Sequence, residues 1–506
     1  MSRPCAGQSP PPAIQPQKTL RGQKLESFAH RDRLPATKGS TVLTRREAIR
    51  RAGSAFGSLL VGRSAGIVEA ARIAKSQGAN ERIQIGVIGL GARGKTLIGN
   101  LPSNAQVVAV CDCARSRIAG ALQPKGHYKK LLARFLETDA DRCAAYQDYR
   151  QMLDREKDLD AVIIATPDHH HVLAAALALQ SGRDVYLEKP MTLTIAEGRY
   201  LVELVKKTGR VLQVGSQQRT MEMNRFACEF IRNGGLGRVT RVELPNYPGP
   251  LHDPTLPEEA VPAGLDWNLF CGPAPLRPYN RKLWVKDEFK VGDLLWRGWD
   301  LWRDFSGHMM TNWGAHTVDM VQYALGCDGT GPVTIRAIPP QSVQPFWRMW
   351  KQKTPPPRPA DRRRFWPVVM HYANGVEVRF IHGPDAILFY GERGRMEMRR
   401  NWFRVDPPEL VTNPPDPQVA EKWKGPGAVA RPHLENWLEC IRTRSTPNAP
   451  VEVGHRSITV CHLANIAREL NRPLRWNAAT ERFVNDNEAN TLLSRSRRAG
   501  FELPSG

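Results

Sequence analysis

One local pattern narrows the fold of this chain more than any other, a set of glycines fixed to the end of a strand. Ile83, Ile85, Val87 and Ile88 form a short β-rich run that ends in Gly89-Leu90-Gly91-Ala92-Arg93-Gly94, and a helical stretch, Arg93–Leu101, follows. In a G-x-G-x-x-G sequence the glycines allow a tight turn, a close backbone approach to a pyrophosphate, and close packing of helix on strand. The anion then meets the free N–H groups and the positive dipole end of that helix. The next apolar run, Val107–Cys111, ends in Asp112, eighteen residues after Gly94. A carboxylate at that point grips the ribose hydroxyls of a dinucleotide. The sequence therefore predicts a dinucleotide site made by Gly89, Gly91, Ala92, Arg93, Gly94 and Asp112. Asp112 repels a 2′-phosphate, so NAD is the expected cofactor; Arg115 and Arg117 nearby leave NADP open.

The alternation continues. Asp160–Ala165 is a strand ending in TPDHHH, Val172–Gln180 a helix, Asp184–Leu187 a strand ending in EKP, Thr194–Lys207 a helix, and Val211–Val214 a strand ending in GSQQR. Strands alternating with helices predict an α/β fold with a doubly wound parallel sheet, whose ligands sit at the carboxyl ends of the strands. That rule adds Thr166, Pro167, Asp168, His171, Glu188, Lys189 and Gln217 to one rim. Three adjacent histidines, His169–His171, cannot all ligate one metal from a helix start. One is expected to shape the cofactor pocket and the others to face solvent or cap the helix, so no metal site is expected.

Composition excludes several classes. With 41% hydrophobic and 24% charged residues in 506, the chain is globular rather than disordered. No run of about 20 apolar residues exists, so no membrane span is expected. The net charge is +22, and the first 80 residues hold 14 Lys/Arg against 4 Asp/Glu. The rest of the excess is spread without long basic runs, which argues against a nucleic-acid partner. Nine cysteines include no CxxC pair, so neither a disulfide framework nor a structural zinc site is expected. Residues 1–43, rich in Pro, Gln and Arg, read as disordered. Arg45–Arg46 after Thr44, followed by the weakly apolar Ala52–Gly62, resemble a twin-arginine export signal, which predicts a periplasmic protein, or a cytoplasmic one if the leader is inactive.

TPDHHHV, YLEKPMTLTIAEG, GSQQRT and the C-terminal HLENWLECIRTRSTPNAPVEVGHRS with HLANIA resemble the Gfo/Idh/MocA oxidoreductases, which include glucose–fructose oxidoreductase and inositol dehydrogenase. The resemblance spans roughly residues 81–497. It implies an N-terminal Rossmann domain and a C-terminal α/β domain with a large, mostly antiparallel sheet often used for homo-oligomers, dimers or tetramers. The expected division is a leader over 1–80, a Rossmann domain over 81–215, a substrate and dimerisation domain over 216–480, and a tail over 481–506. The second domain shows hairpin signals at Pro367–Tyr372 with Val376–Ile381 and at Ile387–Tyr390 with Arg395–Met398. Amphipathic helices Pro432–Arg442 and His455–Leu470 are expected to close it. Residues 245–300 read as a long functional loop and 351–364 as an exposed one.

The resemblance also implies the chemistry: the lysine of EKP, Lys189, lies beside the nicotinamide and the reacting hydroxyl. Oxidising an alcohol needs a base for the hydroxyl proton, and a lysine with a depressed pKa can supply it. The family's Asp-x-x-x-His slot falls on Asn312 and His316. Asn312 can hydrogen-bond a sugar hydroxyl but cannot titrate, so proton transfer falls on His316 and Lys189, with Asn312 orienting. Asp319, one further turn along the same helix, either orients His316 or faces solvent. Trp296, Trp299 and Trp302 read as core or as a sugar platform, and Arg303 and Tyr247 are weaker substrate contacts. The expected function is NAD(P)-dependent oxidoreduction of CH–OH groups in a sugar, polyol or related small carbohydrate. Two alternatives remain: an NAD-dependent glycosidase of the α-N-acetylgalactosaminidase type, a branch whose resemblance does not extend to the EKP lysine, and a non-catalytic cofactor-binding sensor, motivated by Asn312.

Overall fold

The computed structural model describes residues 82–252, 255–284, 298–339, 359–383, 385–423 and 430–505. The leader with Arg45–Arg46, Trp296, and residues 351–358 lie outside the described residues. Among the described residues no helix is long and apolar enough to cross a membrane, and the eight described cysteines are free thiols.

The first sheet has six parallel strands: β1 (Ile83–Ile88), β2 (Ala105–Cys111), β3 (Ala144–Tyr146), β4 (Ala161–Ile164), β5 (Asp184–Leu187) and β6 (Leu212–Val214), in the order β3-β2-β1-β4-β5-β6. β4 and β5 are buried at every residue, as expected of central strands covered on both faces. The order reverses between β1 and β4, so the crevice for a ligand opens at their carboxyl ends. Helix α1 (Ala92–Asn100) leaves β1, α2 (His171–Gln180) leaves β4, and α3 (Ile195–Thr208) leaves β5. α3 starts at a capping box, in which Thr194 accepts from the Glu197 N–H and the Glu197 carboxylate accepts in return, and it ends at Gly209 with φ +62°.

The second sheet has nine strands: β7 (Val239–Pro245), β8 (Pro332–Ala337), β9 (Val368–Tyr372), β10 (Glu377–Ile381), β11 (Ile387–Gly391), β12 (Arg395–Arg399), β13 (Trp402–Asp406), β14 (Leu474–Asn477) and β15 (Arg482–Phe483). Its order is β13-β12-β11-β7-β10-β9-β8-β14-β15, and only β7 with β10 is parallel. Both predicted hairpins form, β9 with β10 and β11 with β12. Along these strands Met370, Phe380, Phe389, Met396 and Met398 point into the core, while charged residues such as Arg241, Arg379 and Arg404 alternate on the other face. Helices α4 (His308–Asn312), α5 (Gly314–Ala324) and α7 (Val451–Leu470) cover the apolar face. α7 also packs on α3 through Gly198, where a Cβ would stand 2.2 Å from the His455 ring. That helix thus joins both sheets in one core.

Two placements differ from expectation. Helix α6 (Arg431–Thr443) closes the first sheet, not the second: Leu434, Trp437 and Leu438 share a core with β1, β2 and α1, and Trp437 meets Tyr186 edge-on. The amphipathic pattern fixes a buried stripe but not which sheet receives it. Residues 481–505 are packed rather than a free tail. Phe501 is buried, the Tyr200 hydroxyl donates to the Pro504 carbonyl at 2.8 Å, and Arg497 pairs with Glu197. The described part of 245–300 carries a satellite core of Trp267, Phe270 and Trp284, completed by Phe305.

Candidate active site

A cavity of about 500 Å³ opens at the carboxyl ends of β1, β2, β4 and β5. Its nucleotide end is built by backbone constraints. Gly89 has φ +92°, a left-handed conformation, and a Cβ there would lie 2.6 Å from the Ala165 carbonyl. A Cβ on Gly94 would lie 1.9 Å from the Gly89 oxygen, so the helix can sit this close only with glycine. Gly91 caps α1 with no side-chain hydrogen bond, leaving the first-turn N–H groups free for an anion. A Cβ on Gly91 would meet only the Arg117 guanidinium, at 3.9 Å. The Asp112 carboxylate accepts from the Leu90 N–H at 2.9 Å and the Ala114 N–H at 3.0 Å, which ties β2 to the glycine turn and leaves lone pairs for ribose hydroxyls. These features fit a dinucleotide. Arg117 lies 3.9 Å from Asp112 and over the Trp284 ring, and Arg115 is held by Gln147 at 2.9 Å, so both guanidinia already have partners.

The other end carries the titratable groups. Glu188 accepts from Arg93 at 2.6 Å, from Gln217 at 3.3 Å and from the Lys189 N–H at 3.2 Å. It thereby locks the start of α1 to the end of β5. The Lys189–Pro190 bond is cis. Lys189 Nζ donates to Asn312 Oδ1 at 2.6 Å and to the Asn312 carbonyl at 3.4 Å. Burial, opposed in part by the Glu188 charge, brings the Lys189 ammonium down to about 8. His316 is buried, its Nδ1 has no hydrogen-bond partner, and burial with the Lys189 charge holds it well below its ordinary value, so it is neutral at pH 7. Asp168 accepts from the Ser306 hydroxyl at 2.7 Å, and burial pushes it up to about 7. Ser306 in turn accepts from the His308 N–H at 3.0 Å; His308 holds φ +58° at the start of α4. The cavity therefore presents an amine, a neutral imidazole and a carboxyl group whose pKa values lie near neutrality or below it, the combination proton transfer needs.

Two family models match most of the chain. Residues 83–216 match "Oxidoreductase family, NAD-binding Rossmann fold", and residues 251–503 match "Oxidoreductase family, C-terminal alpha/beta domain". The chain belongs to the Gfo/Idh/MocA oxidoreductase family. Its first sheet is that family's NAD-binding fold. Among curated relatives, inositol 2-dehydrogenase of Salmonella typhimurium is 27% identical over 187 residues, 36% of this chain and 50% of the relative. Glycosyl hydrolase family 109 protein 1 of Bacteroides fragilis is 32% identical over 128 residues, 25% of this chain and 26% of the relative. The chain thus spans about half the length, or less, of the curated relatives it matches. The WlbA dehydrogenase from Chromobacterium violaceum, solved with NADH and UDP-GlcNAcA, is 16% identical with a TM-score of 0.52 over 79% of this chain and 98% of that one, a likeness of fold.

Of the residues expected at the site, Gly89, Gly91, Ala92, Arg93, Asp112, Thr166, Pro167, Asp168, Glu188, Lys189, Gln217, Asn312 and His316 line the cavity. Gly94 stands behind it, packed on Gly89. His171 also stands behind it, its two ring nitrogens 2.7 Å from the Pro190 carbonyl and 3.0 Å from that of Thr166. All three histidines are buried, and His169 and His170 both reach the Phe270 carbonyl. None faces solvent, because the stretch around Phe270 and Gly272 packs over His169 and His170 and the backbone of Thr166 and Pro190 encloses His171. Arg303 is elsewhere, paired with Glu469 at 3.2 Å, and Tyr247 donates to Asp385 at 2.8 Å outside the cavity. Asp319 neither orients His316 nor faces solvent; it takes a bidentate contact from Arg219 at 2.9 Å and one from Ser457 at 2.7 Å. Trp299 lines the cavity, whereas Trp302 packs on the satellite core. Sequence reasoning missed Trp313 and Arg400, which meet at 5.5 Å on the cavity wall, and Ser306. No local motif marks Arg400, which enters from the turn between β12 and β13.

Proposed function

We propose that this protein transfers a hydride between NAD and a CH–OH carbon of a sugar, polyol or related small carbohydrate. The observation that carries the reading is the Lys189–Asn312 contact of 2.6 Å beside neutral His316, in the same cavity as the glycine turn and Asp112. Bound NAD would supply the hydride acceptor or donor, held by the glycine turn, the α1 N-terminus and Asp112. Asn312 holds the Lys189 amine at one position. With a pKa near 8, that amine accepts the hydroxyl proton during oxidation, and as ammonium it stabilises the alkoxide. His316, neutral with a free Nδ1, positions a neighbouring hydroxyl or passes its proton onward. Reduction of NAD by purified protein across a panel of inositols, aldoses and sugar acids tests the reading. NAD binding without turnover of any of them would favour a sensor instead.

A second reading rests on the glycosyl hydrolase family 109 relative: an NAD-dependent glycosidase, revealed by aglycone release without net NADH. The EKP lysine argues for the dehydrogenase. The Rossmann portion is taken as 81–215 and the substrate portion as 216–480, with the charged face of the second sheet as the homo-oligomer contact, checked by light scattering. Export through Arg45–Arg46 to the periplasm completes the proposal. A periplasmic enzyme must carry its cofactor with it, so slow NAD release is expected. Arg45–Arg46→Lys-Lys should hold the protein in the cytoplasm, and unchanged export would overturn that assignment.

A further inference from the structure

A second, smaller cavity of about 80 Å³ lies behind the site, between the start of α3, the C-terminal half of α7, residues 303–307 and residues 492–495. Five arginines line it, Arg303, Arg363, Arg364, Arg468 and Arg495, against one lining carboxylate among the described residues, Glu469. Glu469 is already engaged: it takes Arg303 at 3.2 Å and stands 4.0 Å from His252, while its backbone carbonyl accepts from Arg363 at 2.9 Å. Among the described residues, the two buried arginines of this cavity, Arg468 and Arg364, meet no carboxylate by hydrogen bond. Arg468, 2% exposed, donates only to neutral acceptors, the Trp366 carbonyl at 3.0 Å, Asn465 Oδ1 at 3.4 Å and Asn246 Oδ1 at 2.5 Å. Arg364, 5% exposed, stacks on Phe365, and its Nε has no hydrogen-bond partner. Arg495 donates to the Arg303 carbonyl.

We infer that this cavity binds a small tetrahedral oxyanion, of the inorganic phosphate or sulfate class. Buried guanidinium groups facing one another are costly unless an anion compensates them. Asp361 and Asp300 lie near Arg364, and Glu197 and Asp304 near Arg495, without lining the cavity. Burial lowers Arg468 to about 9 and Arg364 and Arg495 to about 10, the direction expected of a site short of counter-charge. His462, lowered by burial to about 3, is neutral and adds nothing, and His252 is lowered likewise. At the start of α3 the capping box takes the Thr194 and Glu197 N–H groups and the Leu493 carbonyl takes that of Ala196, so the helix adds its dipole and the Ile195 N–H. At about 80 Å³ against about 500 Å³ for the dinucleotide cavity, the space suits a bare oxyanion and not a sugar phosphate or nucleotide.

The test uses the full chain saturated with NAD, so that the pyrophosphate position is filled. Thermal unfolding and calorimetry compare phosphate, sulfate, glucose 6-phosphate and acetate with chloride at matched ionic strength. Phosphate and sulfate should raise the melting temperature and bind at one site, whereas acetate and the sugar phosphate should not. Arg364→Met should weaken that binding at least tenfold while leaving NAD binding unchanged. A phosphate shift no larger than that of chloride, or one fully kept by Arg364→Met, would overturn the inference. Where that variant does not fold, tungstate soaked into crystals of the unaltered protein decides: a heavy-atom peak among Arg364, Arg468 and Arg495 supports the site, and its absence refutes it.

Discussion

Replacing Asn312 by aspartate puts a carboxylate where Lys189 now meets a neutral oxygen at 2.6 Å. At that distance and an effective dielectric of about 20, the new attraction would be about 6 kcal/mol. Lys189 is only half-buried, and the carboxylate itself loses hydration, so the full Coulomb figure is not realised. Close opposite charges shift pKa values by about 1–3 in practice. Lys189 should therefore rise from about 8 to roughly 9–11. If the neutral amine is the base, the rising limb of kcat/KM with pH moves up by the same amount, and at pH near 7.5 the rate of oxidation falls about 10- to 1,000-fold. Initial rates of NADH formation between pH about 6 and 11 read this limb, and competitive acylation of Lys189 followed by mass spectrometry reads the amine without a substrate. An unchanged labelling pKa would show that the Asn312 contact does not govern this lysine. An unchanged rate limb alongside a shifted label would show that Lys189 is not the base. A gain in rate at every pH would mark Asn312 as a substitution that silenced the site.

Lys189→Ala and His316→Ala should each lower turnover by on the order of 10²–10⁴ with NAD affinity nearly unchanged, checked by steady-state rates and cofactor fluorescence. Asp112→Ser should relax the preference for NAD over NADP, and equal or tighter NADP binding by the unaltered protein in calorimetry would refute the ribose assignment. Asp168 is raised from 3.8 to about 7 by burial, so the folded chain keeps a proton there that the unfolded chain has lost. Its contribution to stability is full below pH about 4 and is lost as pH rises through about 7, on the order of 4 kcal/mol. Asp168→Asn, which keeps the acceptor for Ser306, should therefore unfold like the unaltered protein in acid and at higher urea than it at pH about 8; a pH-independent difference would refute the burial argument.

What sequence alone determined about this protein was local in origin. Gly89, Gly94 and Asp112 were readable because a tight turn, a helix packed against a carbonyl and a carboxylate at a strand end each impose a residue type within a few positions. The parallel sheet and both hairpins follow from period and turn chemistry in the same way. Lys189 and His316 came from motif resemblance rather than from periodicity. Tertiary structure decided the rest. Asp319 shares a helical spacing with His316, yet Arg219, a hundred positions away in sequence, claims it. Ser306 reaches Asp168 across 138 positions, and Arg400 arrives at the cavity from a sheet turn. Helix α6 shows the same limit, since its apolar stripe states that one side is buried but not against which sheet. Spacing constrains neighbours on one element, whereas a cavity wall is drawn from many elements, and only their packing says which side chains converge there.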